Sequence, residues 1–307
     1  MSKKQKTISI WLTALLGVNI ILLIFSGRLI GKKVSEREDF PQQYRIVNPP
    51  LPSQIYFAGD RVPLELQDIR ERLDKEVIIN TYLHSSTLLN IKRAARWFPA
   101  IERILKENGI PEDFKYIAII ESGLENLISS KKATGFWQFT EDAALQFGLE
   151  VNSEVDERYN AEKSTEAACR YLKQAYSKFK NWTMAAASYN MGMAGLYRQT
   201  ERQKTNNYFD LYLNDETSRY IFRALALKTI LTEPQKYGYL LDKEDLYKVY
   251  NTYDFKVESS ISDLAAFAFA RGINYKTLKI LNPWLRDNVL TNKSGRTYVI
   301  KLPVQNN

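Results

Sequence analysis

The stretch Ile119-Ile120-Glu121-Ser122-Gly123 ends an apolar run on a carboxylate. A buried or half-buried carboxylate is costly unless it is paired, protonated or used, so Glu121 is the first candidate for chemistry. Competing chemistries are few. The chain has one histidine, His84, and one cysteine, Cys169, which removes most metal clusters and every Ser-His or Cys-His arrangement except one built on His84. His84 has no carboxylate near it in sequence and reads as structural, and Cys169 falls on the apolar side of a helical pattern. No metal or cofactor is expected, and catalysis must rest on carboxylates. Glu125, Glu141, Asp142 and Glu216 are possible second acids beside Glu121.

The elements that must position Glu121 read as helices. Pro111 opens a helix with Glu112 and Asp113 in its first turn, where the dipole favours anions. Phe114, Ile117, Ala118 and Ile120 supply its inward face, and Gly123 is a helix end, so Glu121 sits in the last turn beside the core. There desolvation should raise its pKa. Upstream, the segments 64–83 and 86–107 carry apolar residues at three- and four-residue spacing, the second ending at Asn108-Gly109. Downstream, a helix opened by a Ser164 or Thr165 cap has apolar positions at Ala168, Tyr171, Leu172, Ala175, Tyr176 and Phe179, and another runs from about Asp215 to Leu231. After Tyr247 the pattern becomes strand-helix-helix-strand. The expected architecture is mainly α: an all-helical catalytic domain followed by a small βααβ module.

Of the 307 residues 45% are hydrophobic and 12% aromatic, enough for a real core and against a disordered chain. The net charge of +8 implies attraction to something acidic, whether nucleic acid, anionic lipid or a wall polymer. The uncharged stretch from Thr7 to Gly27, at about 1.5 Å per residue, would span roughly a bilayer core. It reads as a membrane helix or a signal peptide. Its apolar length, and Phe25 where a small residue would be wanted before cleavage, favour a retained anchor. The expected boundaries are an anchor at 1–33, a proline-rich spacer at 34–61, a catalytic domain at 62–247 and the small module at 250–307.

Four motifs in order carry a resemblance: Glu121-Ser122-Gly123 with Ser130, then Gly135-Phe136-Trp137-Gln138, then Ser188-Tyr189-Asn190 with Gly192, then Glu216-Thr217-Ser218-Arg219-Tyr220. Together they resemble the family 1 lytic transglycosylases, whose catalytic domain is goose-type-lysozyme-like, and most closely the membrane-bound lytic murein transglycosylase D subgroup. The resemblance implies that Glu121 is the single catalytic acid and base. It implies that Ser130, Gln138, Tyr189, Asn190, Glu216 and Tyr220 bind substrate, with Ser129 the alternative serine because the spacing to Gly135 is one residue short. The substrate implied is the glycan strand of peptidoglycan, cut at the β-1,4 bond from N-acetylmuramic acid to N-acetylglucosamine with a 1,6-anhydro product. No cofactor and no nucleic-acid partner are implied, and the location is the bacterial envelope, membrane-anchored with an extracytoplasmic catalytic domain. Residues from about Tyr253 to Pro303 resemble a LysM module, with Glu258-Ser259-Ser260 in place of the usual opening. A hydrolytic muramidase on the same fold and a non-catalytic wall-binding protein are the rival readings.

Overall fold

The computed structural model describes residues 46–304. The anchor expected at 1–33 lies outside the described residues, and among the described residues no helix is long and apolar enough to cross a membrane. Part of the stretch read as spacer belongs to the packed unit. Tyr56–Phe57 (β1) and Asp60–Arg61 (β2) form a small antiparallel hairpin. Ile55 and Phe57 enter the main core, Phe57 meeting Phe114 edge to face at 5.6 Å.

Gln67–Tyr82 (α1), His84–Glu107 (α2) and Lys115–Ser122 (α3) are helices within the stretches whose apolar spacing predicts them, and a short helix, Glu141–Gln146 (α4), comes after them. Next come Ala161–Phe179 (α5), Trp182–Met191 (α6), Met193–Gln203 (α7) and Asp215–Thr232 (α8). Helix α6 is the hub. Its residues from Thr183 to Ser188 are all buried, and it is packed by α5, α7 and α8. The short side chains of Ala185, Ala186 and Ala187 let these helices approach closely, which is why its sequence has no polar face. Helix α1 lies against α8 with Ile69, Leu73 and Val77 inward at four-residue spacing.

The expected Ser164 or Thr165 cap is corrected: α5 starts a turn earlier. The Asn160 side chain accepts from the backbone N–H groups of Glu162 and Lys163 and takes the capping role. Ser164 and Thr165 instead donate to the carbonyls of Asn160 and Ala161 at 2.7 and 2.6 Å, inside the helix.

The C-terminal part pairs Thr252–Val257 (β3) with Tyr298–Pro303 (β4) in antiparallel register, Thr252 opposite Pro303 and Val257 opposite Tyr298. Leu264–Phe269 (α9) and Tyr275–Leu281 (α10) lie between them in sequence, giving the expected βααβ order. Alternate residues Tyr298, Ile300 and Leu302 of β4 face a second hydrophobic cluster. Val155 and Tyr159, distant in sequence and outside the βααβ segment, belong to that cluster too. Glu258 and Ser260, the unusual opening residues, are used internally: Glu258 accepts from the Thr297 hydroxyl, and the Ser260 hydroxyl accepts from the Asn292 N–H.

Cys169 is fully buried on α5, and burial pushes its thiol up to about 12. At neutral pH a maleimide reagent should therefore label the native protein at least about a hundredfold more slowly than the urea-unfolded chain, followed by mass spectrometry. Equal rates in the two states would mean that α5 does not shield this face.

Candidate active site

Glu121 reaches its place by a short, heavily buried route. Pro111 precedes a single 3-10 turn, Glu112–Phe114, which runs into α3. Tyr116 to Ile120 are all buried, so the helix is held on every side. Gly123 ends it in the left-handed region at φ +62°, its N–H returning to the Ile119 carbonyl at 2.7 Å. A Cβ there would also stand 3.1 Å from Asn90 Oδ1, so glycine answers both the turn and the close approach.

The last turn opens Glu121 onto a cleft of about 590 Å³, lined also by Asn90, Arg93, Glu125, Glu216 and Arg223. Burial raises the Glu121 pKa above the ordinary 4.5; the hydroxyl of Tyr220 and the charge of Arg223 oppose the shift, and Glu216 adds to it. The Tyr220 hydroxyl donates to Glu121 Oε1 in a short hydrogen bond. Burial pushes Tyr220 well above its own ordinary range, so it remains a donor. A partly desolvated carboxyl with a raised pKa keeps its proton to higher pH than a free glutamate and can deliver it to a leaving oxygen.

A loop from Asn126 to Phe139 follows, and its Leu127 lines the cleft. Thr134 pairs with both Ile128 and Phe139 across it. Its sharp point is Gly135, at φ +80°, where a Cβ would lie 2.0 Å from the Arg158 carbonyl oxygen. The Ser122 hydroxyl donates to the Phe136 carbonyl at 2.9 Å, tying the loop to the turn after Glu121. Trp137 donates from Nε1 to Thr165 Oγ1 at 2.8 Å and is wholly buried, a core aromatic.

The predicted site residues divide into groups. Glu121 and Glu216 line the cleft. Tyr220 touches Glu121 directly, and Asn190 donates from Nδ2 to Glu216 Oε1 at 2.9 Å while accepting from Thr217 at 2.7 Å. Tyr189 gives its hydroxyl to the Trp137 carbonyl at 2.8 Å and feels the Glu121 charge. Gln138, at φ +49°, donates to the carbonyls of Leu127 and Gly135 and so holds the loop's shape. Neither Gln138 nor Ser130 is among the residues lining the cavity. Ser130 is exposed at the loop tip, whereas Ser129 accepts from the Ala133 N–H within the turn.

Three features escaped the sequence reading. Arg223 lies one turn beyond Tyr220 on α8, an i+3 neighbour that could have been suspected from spacing. Arg93 pairs with Glu125 at 2.6 Å, so this half-exposed carboxylate is held at the cleft. Glu76, buried within the apolar stripe of α1, pairs with Arg219 at 2.6 Å. Among the described residues no group of three or more His, Cys, Asp and Glu is placed to hold a metal ion.

Comparison with known proteins gives this geometry a context. Residues 98–211 match the family model "Transglycosylase SLT domain", and residues 253–306 match "Soluble lytic transglycosylase C-terminal LysM-like domain". The chain is 28% identical over 253 residues to the membrane-bound lytic murein transglycosylase D of Escherichia coli K12, covering 80% of this chain and 54% of that protein. The protein of that name from Escherichia coli O6:H1 (strain CFT073) matches to the same extent. The chain thus spans about half the length of the curated relatives it matches.

The raised pKa fixes how stability responds to pH. The native state holds the Glu121 proton to higher pH than the unfolded chain does, so this group loses stability as pH rises from 4.5 through its raised folded value. Glutamine does not titrate. The melting temperature of Glu121→Gln relative to the parent should therefore climb from below pH 4.5 toward neutrality. A difference that is flat with pH would remove the desolvation claimed for this carboxyl.

Proposed function

We propose that this chain, with its SLT-type transglycosylase domain and LysM-like domain, is a peptidoglycan lytic transglycosylase that uses Glu121 as its single acid and base. The observation that carries the reading is the environment of Glu121: a carboxyl with a raised pKa, hydrogen-bonded by Tyr220, at the end of a buried helix and open to a cleft.

The steps follow from that placement. Protonated Glu121 gives its proton to the glycosidic oxygen between N-acetylmuramic acid and N-acetylglucosamine as the bond to the anomeric carbon breaks. The carbonyl oxygen of the substrate's own N-acetyl group closes onto that carbon, so no protein nucleophile is needed. The carboxylate left on Glu121 then removes the proton from the C6 hydroxyl. The C6 oxygen attacks the anomeric carbon and displaces the acetamido oxygen, leaving a 1,6-anhydro end without consuming water. Tyr220 and Arg223 stabilise the carboxylate between the two proton transfers.

Glu216, with Asn190 bound to it, and Glu125, paired with Arg93, stand in the same cleft. A hydrolytic muramidase using two carboxylates would employ one of them to activate water, and the ends of the products separate the two routes. The remaining assignments belong to the same proposal: Ser130 or Ser129, Gln138, Tyr189 and Asn190 bind or shape the site for the glycan. The LysM-like domain adds wall affinity, and residues 1–33 anchor the chain with the catalytic domain outside the cytoplasm.

Glu121→Gln should lower turnover of purified sacculi by at least about 100- to 10,000-fold, with binding to sacculi retained. Mass spectrometry of products from the parent should show anhydro ends; reducing N-acetylmuramic acid ends would point to the hydrolytic route. Tyr220→Phe provides a separate check through pH. Its hydroxyl lowers the Glu121 pKa, so its loss should move the alkaline limb of the rate profile to higher pH. A limb that stays in place or moves down would contradict the pairing.

A further inference from the structure

The segment from Glu154 to Tyr159 joins two parts of the molecule that the catalytic proposal treats separately. On one side it pairs with the C-terminal module as a strand would. The Arg286 N–H donates to the Glu154 carbonyl at 2.7 Å, the Asp156 N–H donates to the Trp284 carbonyl at 2.9 Å, and Val155 bridges Leu285. The Glu154 carboxylate also accepts from the Thr291 N–H and hydroxyl, at 2.6 and 3.0 Å. The Arg286 guanidinium lies 3.9 Å over the Tyr159 ring.

On its other side the same segment grips the loop 126–139. Arg158, buried, is bound by both oxygens of buried Asp156, at 2.9 Å from Nε and 2.7 Å from Nη2. This fork-to-fork pair fixes the guanidinium plane. The remaining nitrogen, Nη1, then lies 3.4 Å from the carbonyls of both Lys132 and Phe139, at the two ends of the tip that carries Gly135 and Gln138. The Arg158 carbonyl oxygen occupies the space that a side chain at 135 would need, and the Tyr159 carbonyl accepts from Asn126 at 3.2 Å.

We propose that Arg158 is a positioning residue for the loop 126–139, which meets the cleft at Leu127 and is tied to Ser122 beside Glu121, and that the C-terminal module sets it by clasping residues 154–156. The module is then a strut of the active site as well as a wall-binding domain. This inference rests on the transglycosylase reading for its effect on turnover, but not for its effect on the loop. Lysine at 158 keeps the charge but has no planar fork, so it cannot hold Asp156 bidentately and reach both carbonyls.

The test uses the full chain and soluble glycan oligomers, with Arg158→Lys, Glu154→Gln and the double variant. Glu154 touches the module and not the loop, and as a partly exposed residue it also carries the test if Arg158→Lys fails to fold. Arg158→Lys should raise KM about tenfold or more with kcat within about threefold, since a displaced loop beside the cleft weakens binding more than proton transfer by Glu121. Amides of 126–139 should exchange hydrogen faster while those of α6 do not change. Glu154→Gln should shift KM and exchange in the same direction by less, and the double variant should be no worse than Arg158→Lys alone. Unchanged KM with unchanged loop exchange, additive effects, or faster exchange spread evenly over the domain would overturn the proposal. If the parent chain cleaves no glycan, the functional reading fails, and the exchange data alone then decide whether the strut exists.

Discussion

A carboxyl kept partly out of water at the end of a helix is the constraint around which this molecule is arranged. Leaving such a group unpaired and charged would be costly, and pairing it fully with a cation would hold it ionised and unable to give up a proton. The structure takes a middle course. Tyr220 supplies a neutral donor, and Arg223 acts on Glu121 through its charge while giving its Nη2 hydrogen bond to the Ile120 carbonyl. Glu216 pushes the other way and is itself held by Asn190. Tyr220 and Arg223 sit on α8, whose packing on α1, α3 and α6 keeps them at this distance.

Much of this was legible in the sequence, for local reasons. Helices α1, α2, α3 and α8 follow from apolar spacing, and the end of α3 follows from a glycine directly after an apolar run. Glu121 could be singled out because an apolar stretch rarely ends on an acid without cause. Tyr220 and Glu216 could be found only through their motif, since nothing local says that a tyrosine almost a hundred residues away will donate to Glu121.

What stayed hidden depended on competition or on distance. Asn160 outcompetes Ser164 and Thr165 for the start of α5 because its side chain reaches free N–H groups, while theirs return to the helix carbonyls. The hairpin at 56–61 was obscured by the prolines before it, although Phe57 is as deeply buried as any residue in the core. The pairing of Val155 with Leu285 spans 130 positions and carries no periodic signal. The role of Arg158 is hidden for another reason: two of its contacts are backbone carbonyls, which have no sequence identity to read.

The buried ion pair of Asp156 and Arg158 illustrates why a polar device stands where an apolar one could have given equal stability. Buried ion pairs contribute little net stability, because desolvation offsets their attraction. Their advantage is direction. An aliphatic pair at 156 and 158 would fill the same space but could slide, whereas a bidentate carboxylate and guanidinium fix a plane, and with it the nitrogen that faces Lys132 and Phe139. Glu76 with Arg219 and Arg93 with Glu125 are charged pairs that line the Glu121 cleft, each joined by a contact of 2.6 Å. Alanine-rich packing at the buried middle of α6 supplies the apolar contacts on which the domain closes. These three pairs stand where orientation matters, two along the cleft and one beside the loop 126–139, and the apolar scaffold around them holds that polar geometry in place.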